Sequence, residues 1–263
     1  MLLPSDKCTR ANAQKILLKQ FSETSNAGDQ ASAPIVSYLS SRPVEVIGES
    51  APGAPNLIAI GSILHWADGN SIIWGTGLMH ENIKLAVKPK SVVAVRGYLT
   101  WEKLTQQGVD SPQVFGDPGV FLPCLYPKQA PRWPLGIVPH YVDQDEPFVL
   151  QAAAGGAKII DVTAPLEQYA ASLSSCERIL SSSLHGIVFA HAYGIPSAWI
   201  KISNRVHGDG FKFFDYYSSI GINKSDVPVL TTAESLDALS KHCHLAPRPI
   251  DREALRSALI AGI

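Results

Sequence analysis

Arg178-Ile179-Leu180-Ser181-Ser182-Ser183-Leu184-His185-Gly186 runs through an apolar stretch into Ala192-Tyr193-Gly194-Ile195-Pro196. Arg178–Ser181 reads as a short buried strand. Beyond it, Leu184, Ile187, Val188 and Ala192 recur at helical spacing. Strand, serine-rich turn and helix together make a geometry in which unpaired N–H groups at the helix start face a ligand. Ser183 is placed to cap that helix, which puts His185 in its first turn. An imidazole beside an anion-binding helix start suits phosphate or carboxylate chemistry. A capped helix carrying one exposed histidine would leave the same pattern.

The same alternation extends in both directions. Strands are expected at Ile16–Phe21, Val44–Gly48, Leu57–Ile60, Ile72–Trp74 and Val92–Arg96, with helices at Ala31–Ser41 and Thr100–Gln107. The second half repeats the theme, with strands at Gly136–Pro139, Ala157–Val162, Arg178–Ser181 and Ser197–Ile202. Its helices are expected at Leu166–Ser175 and Leu184–Tyr193. Apolar, non-alternating strands separated by helices argue for parallel sheets covered by helices. Between them, Pro123, Pro127, Pro131 and Pro134 crowd a segment that reads as an interdomain linker. The expected fold is α/β, with two Rossmann-like domains over residues 1–125 and 134–263. The tail, Ala233–His242 and Asp251–Ile260, reads as two amphipathic helices, and by analogy the last of them returns to the first domain.

Composition narrows the partners. The 263 residues are 46% hydrophobic and 17% charged, a low charged fraction that hints at partner or membrane contact. A formal net charge of −1 without long basic runs argues against nucleic acid. Cys8, Cys124, Cys176 and Cys243 are far apart and read as reduced thiols of a cytoplasmic protein. His242-Cys243-His244 points its side chains in different directions, so no metal site is expected. No secretory signal and no membrane span is legible. The expected location is the cytoplasm, with peripheral contact at the inner membrane open. The last helix, near Arg252–Ile260, has basic and apolar faces that fit either a membrane interface or packing on the first domain.

Several motifs, in order, resemble the polysaccharide pyruvyl transferase family. The Ser-x-Leu-His-Gly and Ala-Tyr-Gly-Ile-Pro segments carry the resemblance first. Asn26-Ala27-Gly28-Asp29, Val95-Arg96-Gly97-x-x-Thr100, Phe115-Gly116-Asp117-Pro118 and Val138-Pro139-His140-Tyr141 add to it. The resemblance spans roughly residues 16–202 and is greatest to short bacterial exopolysaccharide enzymes of the xanthan type. It implies a glycosyltransferase-B-like pair of domains with the active site in the cleft, the acceptor on the first domain and the donor on the second. It also implies phosphoenolpyruvate as the donor substrate, a lipid-linked oligosaccharide as acceptor, and no cofactor. Where the family usually has arginine before Leu-His, this chain has Ser183. Another cation must then grip the donor, and Arg96, Arg178, Lys201 and Arg205 are the candidates.

Forming a cyclic pyruvate ketal needs an acid, a base and a water-poor site for an oxocarbenium-like carbon. His185 is the first choice for acid/base work and His140 the second, although His140 could simply order its turn. Ser182, Ser183 and Leu184 form the donor-binding turn, with Lys201 at the end of the following strand. Arg205 sits in a loop, Ile202–Gly210, that could close as a lid or stay solvated. In the first half, Gly28 would let a ligand approach the backbone. Asp29 would cap a helix, act as base toward an acceptor hydroxyl, or both. Asn26, His65, Trp66 and Trp74 are the remaining acceptor candidates, the aromatic ones being equally suited to core packing. An ordinary nucleotide-sugar glycosyltransferase and a non-catalytic sugar-binding scaffold are the competing readings.

Overall fold

The computed structural model describes residues 14–50 and 53–263. Two parallel five-stranded sheets organise it. The first contains β1 (Ile16–Lys19), β2 (Val44–Ile47), β3 (Asn56–Ile58), β4 (Ser71–Trp74) and β5 (Ser91–Ala94), in the order β2-β1-β3-β4-β5. The second contains β6 (Gly136–Val138), β7 (Lys158–Ile159), β8 (Ile179–Ser181), β9 (Ser197–Lys201) and β10 (Leu230–Thr231). Its order is β10-β9-β8-β6-β7, again parallel throughout. Read from the other edge, this is the winding of the first sheet. The chain places its second strand on one side of the first and the remaining strands on the other. In sheets wound this way, ligands bind outside the carboxyl ends of the strands where the order reverses. Those points lie between β1 and β3 and between β6 and β8.

The helices are α1 (Ala27–Gln30), α2 (Ser32–Ser40), α3 (Tyr98–Gln106), α4 (Leu122–Leu125), α5 (Pro147–Ala154), α6 (Leu166–Ser174), α7 (Leu184–Ala192), α8 (Phe211–Ser219), α9 (Leu236–Ser240) and α10 (Arg252–Gly262). The expected helix Ala31–Ser41 is α2, with the single turn α1 preceding it, and β7 is shorter than the apolar run around it. The proline-rich segment is not wholly irregular. Pro123 sits in the first turn of α4, where a missing N–H removes no helical hydrogen bond. Two longer helices also escaped the sequence reading. In α8 the run Phe-Lys-Phe-Phe-Asp-Tyr-Tyr is rich in strand formers, and its N-cap is Gly210 in the left-handed region rather than a polar capping residue. Packing of Phe211, Phe213, Tyr216 and Tyr217 into the core overrides that preference. The other, α5, starts at Pro147 and is capped by no side chain.

The two sheets share a continuous core, in which Leu18 and Leu57 belong to the same apolar cluster as Val138, Ile187 and Phe189. A buried ion pair also joins the halves: Arg96 Nε donates to Asp215 Oδ2 of α8 at 2.8 Å, and both residues are wholly buried. The motif Arg96-Gly97-x-x-Thr100 is the cradle of that aspartate. Thr100 donates its N–H (2.8 Å) and hydroxyl (2.7 Å) to the Asp215 carboxylate. Gly97 is extended, and its lack of a side chain is needed because a Cβ would collide with the Asp215 carbonyl.

The last helix, α10, lies against β4, β5 and α2, capped by Asp251, which accepts from the Ala254 N–H at 2.9 Å. Leu255 and Leu259 are fully buried, and Trp74 Nε1 donates to the Leu255 carbonyl at 2.7 Å. Leu255 and Leu259 thus pack on the first half, the second of the two arrangements expected for this helix, while Ile260 stays exposed. Among the described residues no helix is long and apolar enough to cross a membrane. Cys124, Cys176 and Cys243 are free thiols; Cys8 lies outside the described residues.

Candidate active site

The two points where strand order reverses open onto one cavity of about 350 Å³. Four strand ends supply its polar wall: Asn26 and Asp29 after β1, Gly61 and Ser62 after β3, His140 after β6, and Ser183 and His185 after β8. Residues from both halves thus meet here because each half is wound the same way.

The turn after β1 is held by Asn26. Its Oδ1 accepts from the Gly28 N–H at 2.9 Å, and its Nδ2 donates to Asp29 Oδ2 at 2.5 Å. Asp29 is 8% exposed. Burial pushes its carboxyl up to about 6, opposed by the positive charges of His185 and Lys212 and assisted by the negative charge of Asp117. A carboxyl tuned there can exchange protons near neutral pH. Gly28 does not face an open ligand site. The imidazole of His185 lies against it so closely that a Cβ would stand 2.0 Å from its Nδ1.

The turn after β8 is a small hydrogen-bonded unit. Ser181 Oγ accepts from the Ser183 N–H at 3.0 Å, which removes that group from the donors available to a ligand. Ser182 is buried, donating to Asp143 Oδ2 at 2.6 Å and accepting from the His140 N–H at 2.9 Å. Its hydroxyl joins the turns after β6 and β8 and is not free to bind a donor, a correction to its expected role. Asp143 is fully buried and also accepts from Ser203 Oγ at 2.5 Å. Ser183 stands at the N-cap position with extended backbone, but its hydroxyl caps nothing and faces the cavity. Leu184 and His185 line the same wall in the first turn of α7.

His185 is 8% exposed rather than a surface histidine. Its ring packs at a tilt on Phe189, 5.5 Å between centroids. Its Nε2 lies 3.6 Å from Oδ2 of the fully buried Asp117, and neither atom has a hydrogen-bond partner. The other Asp117 oxygen accepts from the Gly119 N–H at 2.8 Å, which fixes the carboxylate. His140 also lines the cavity, but burial, with Lys212, His207 and His185 nearby, pushes it down to about 3. It is held neutral, with Nδ1 accepting from the Val142 N–H at 3.4 Å. So low a value makes His140 a poor proton donor near pH 7, and what it presents to the cavity is a neutral imidazole. Lys212 enters from the first turn of α8, 6% exposed.

The remaining candidates lie elsewhere. Arg96 is consumed by Asp215, by Ser62 Oγ (2.7 Å) and by the Leu78 carbonyl (2.8 Å), so it holds the cavity wall without facing it. Arg178 is exposed on the opposite, amino-terminal side of β8. Arg205 is ion-paired with Glu146 at 2.6 Å on the surface. Lys201 lines a neighbouring cavity of about 540 Å³, walled by Trp199, Phe213 and the loop 202–210. His207 borders both cavities. Trp74 is fully buried in the core and makes no acceptor surface. His65 and Trp66 sit in a short helical turn just past the cavity wall, with Trp66 packed near Phe21. Asp117, Asp143, Asp215 and Lys212 were not singled out from sequence. Asp117 stood inside the Phe115–Pro118 motif, while Lys212 is hidden in an aromatic run that carries no recognisable signal.

The comparisons with known proteins agree with this architecture. Residues 26–204 match the family model for polysaccharide pyruvyl transferase, a span that includes Asn26, Asp29, Ser62, His140, Ser183 and His185 of the cavity wall but not Lys212. The uncharacterized protein L143 of Acanthamoeba polyphaga mimivirus is 33% identical over 220 residues, 80% of this chain and 76% of that protein. The succinoglycan biosynthesis protein ExoV of Rhizobium meliloti (strain 1021) is 26% identical over 193 residues, 68% of this chain and 59% of that protein. With the family's model matched over most of its length, this chain belongs to the polysaccharide pyruvyl transferase family.

Proposed function

We propose that the protein transfers the pyruvyl group of phosphoenolpyruvate to two hydroxyls of a sugar, as a cyclic ketal, on a lipid-linked oligosaccharide of exopolysaccharide assembly. Family membership and the likeness to a succinoglycan biosynthesis protein support pyruvyl transfer of this kind. One observation carries the mechanistic reading: Asp29 from the first sheet and His185 from the second stand in a single, largely buried cavity.

In this mechanism His185 donates a proton to the C3 methylene of the donor, and positive charge develops at C2. A sugar hydroxyl adds to C2 while Asp29 takes its proton. The C2–O bond to phosphate then breaks and phosphate departs with the electron pair. The neighbouring hydroxyl adds to the same carbon and closes the ketal. One hydroxyl proton ends on the new methyl group and the other on phosphate, so no redox partner is required. The Asp117 carboxylate stabilises the positive charge that His185 carries when protonated. Exclusion of water protects the oxocarbenium-like carbon from hydrolysis.

The acceptor would approach from the first sheet and the donor from the second, each half acting as a domain of the pair. Work on a lipid-linked acceptor would take place at the cytoplasmic face of the inner membrane. The test is incubation of the purified protein with phosphoenolpyruvate and a lipid-linked oligosaccharide, followed by mass spectrometry and phosphate release. A pyruvyl ketal with one phosphate per product is expected. Transfer only from a nucleotide sugar, or no product with any donor, would overturn the reading.

A further inference from the structure

We infer that Lys212 is the cation that binds the phosphate group of the donor, taking the place left open where Ser183 supplies no charge. This rests on the donor reading above and is independent of which sugar accepts the pyruvyl group.

Among the described residues, Lys212 carries the only ammonium or guanidinium group lining the cavity that holds Asp29 and His185. Arg96 has spent its donors inside the protein, Arg205 is paired with Glu146, Lys201 faces the neighbouring cavity, and Arg178 is on the far side of its strand. Lys212 itself is more than nine-tenths buried. Among the described residues it has no salt bridge or side-chain hydrogen bond, and its Nζ lies 5.7 Å from the centre of the Phe213 ring. Burying an ammonium group without a partner is costly, so a fold that does so gains from some later pairing.

Its surroundings fit a doubly charged phosphate. Lys212 is the second residue of α8, and Leu184 and His185 open α7, so the positive ends of two nine-residue helices border one space. Asp29 and Asp143 face Lys212 from the first and second halves, with Arg96 and His140 as the opposing positive or neutral groups. Burial, with Arg96, lowers the Lys212 ammonium to about 8, against the pull of both aspartates. An incoming phosphate dianion reverses that balance and holds the lysine charged.

The experiment is calorimetric titration of the full chain with phosphoenolpyruvate and, separately, inorganic phosphate, using the parent, Lys212→Met and Lys212→Arg. The parent should bind both anions. K212M should lose about 10- to 100-fold in affinity for each, the scale of one charge-assisted hydrogen bond, and K212R should retain most of it. The parent's affinity should fall as pH rises through about 8, and that fall should vanish in K212R. Because K212M removes an unpaired buried charge, its melting temperature should equal or exceed the parent's. Equal affinities in parent and K212M would overturn the assignment while leaving the donor reading intact. A K212M chain that melts well below the parent would mark the lysine as a structural charge, also overturning it. Absence of binding by the parent would overturn both.

Discussion

The imidazole Nε2 of His185 faces the Oδ2 of Asp117 at 3.6 Å inside the protein, and both atoms are without hydrogen-bond partners. The gap is slightly too long for a hydrogen bond and short enough for strong electrostatic coupling in a buried setting. Asp117 is anchored through its other oxygen to the Gly119 N–H, so the carboxylate is fixed and the histidine is the partner able to move. Asp117 is thus a positioning residue for His185. Asp117→Asn keeps the Gly119 contact and removes the charge. It should lower kcat by about 100-fold with little change in the KM for phosphoenolpyruvate, and its pH–rate profile should shift while the melting temperature stays close to the parent's. A variant with full kcat and an unchanged profile would refute the pairing.

Gly28→Ala tests the packing that seats the imidazole. The added methyl group must displace the His185 ring, whose Nδ1 would otherwise lie 2.0 Å from it. Overpacking of this kind costs about 1–3 kcal/mol, and the displaced ring should leave transfer nearly abolished. Chemical denaturation and steady-state kinetics measure the two effects. Unaltered activity would show that the ring position is not what the glycine secures.

Asp29 carries a sign that can be checked. Its carboxyl is raised from 3.8 in the unfolded chain to about 6 in the fold, so the folded protein holds the proton more tightly. The stability this contributes is present below about pH 4 and is lost as pH rises toward 6, for a loss on the order of 3 kcal/mol. Above pH 6 the native state carries a buried, partly compensated carboxylate. Asp29→Asn removes that cost. It should therefore melt higher than the parent at pH 7.5, have a smaller advantage at pH 4, and show no detectable transfer. A variant less stable than the parent at pH 7.5 would contradict the burial argument.

Arg96→Met separates a structural arginine from a donor-binding one. The side chain lies in a wholly buried network with Asp215, Ser62 and Leu78, and removing it strands the aspartate without its charge partner. Loss of one member of a buried pair costs about 3–5 kcal/mol. The expected result is a large fall in the denaturation midpoint, with phosphoenolpyruvate affinity near that of the parent in whatever fraction remains folded at low temperature. Normal stability with lost donor binding would return Arg96 to the site.

Much of the scaffold could be read locally. Strand, turn and helix alternate with their own periodicities, and short-range rules of burial and backbone hydrogen bonding produce parallel α/β units from such a pattern. The turn around Ser183 and His185 was legible for the same reason, because an N-cap position and a first helical turn are set by neighbours in the chain. The Arg96-Gly97-x-x-Thr100 and Asp117-Pro118 segments could be recognised as motifs. Their purposes could not, since one wraps an aspartate 119 residues away and the other faces a histidine 68 residues away.

What the sequence determined by itself, then, was the kind of sheet, the order of most strands and helices, and which turns carry polar groups. The tertiary structure alone decided which of those groups meet. Pairing across the two halves depends on both sheets reversing strand order at their first strand, a long-range property with no local signature. It brought Asp29 to His185, withdrew Arg96, Ser182 and Trp74 into the protein's own hydrogen bonds, and turned Lys212 from an unremarked lysine among phenylalanines into the cation of the cavity. Charge and reach can be read from residue type; burial, which sets what a charge costs and where it can be satisfied, exists only once the chain has folded.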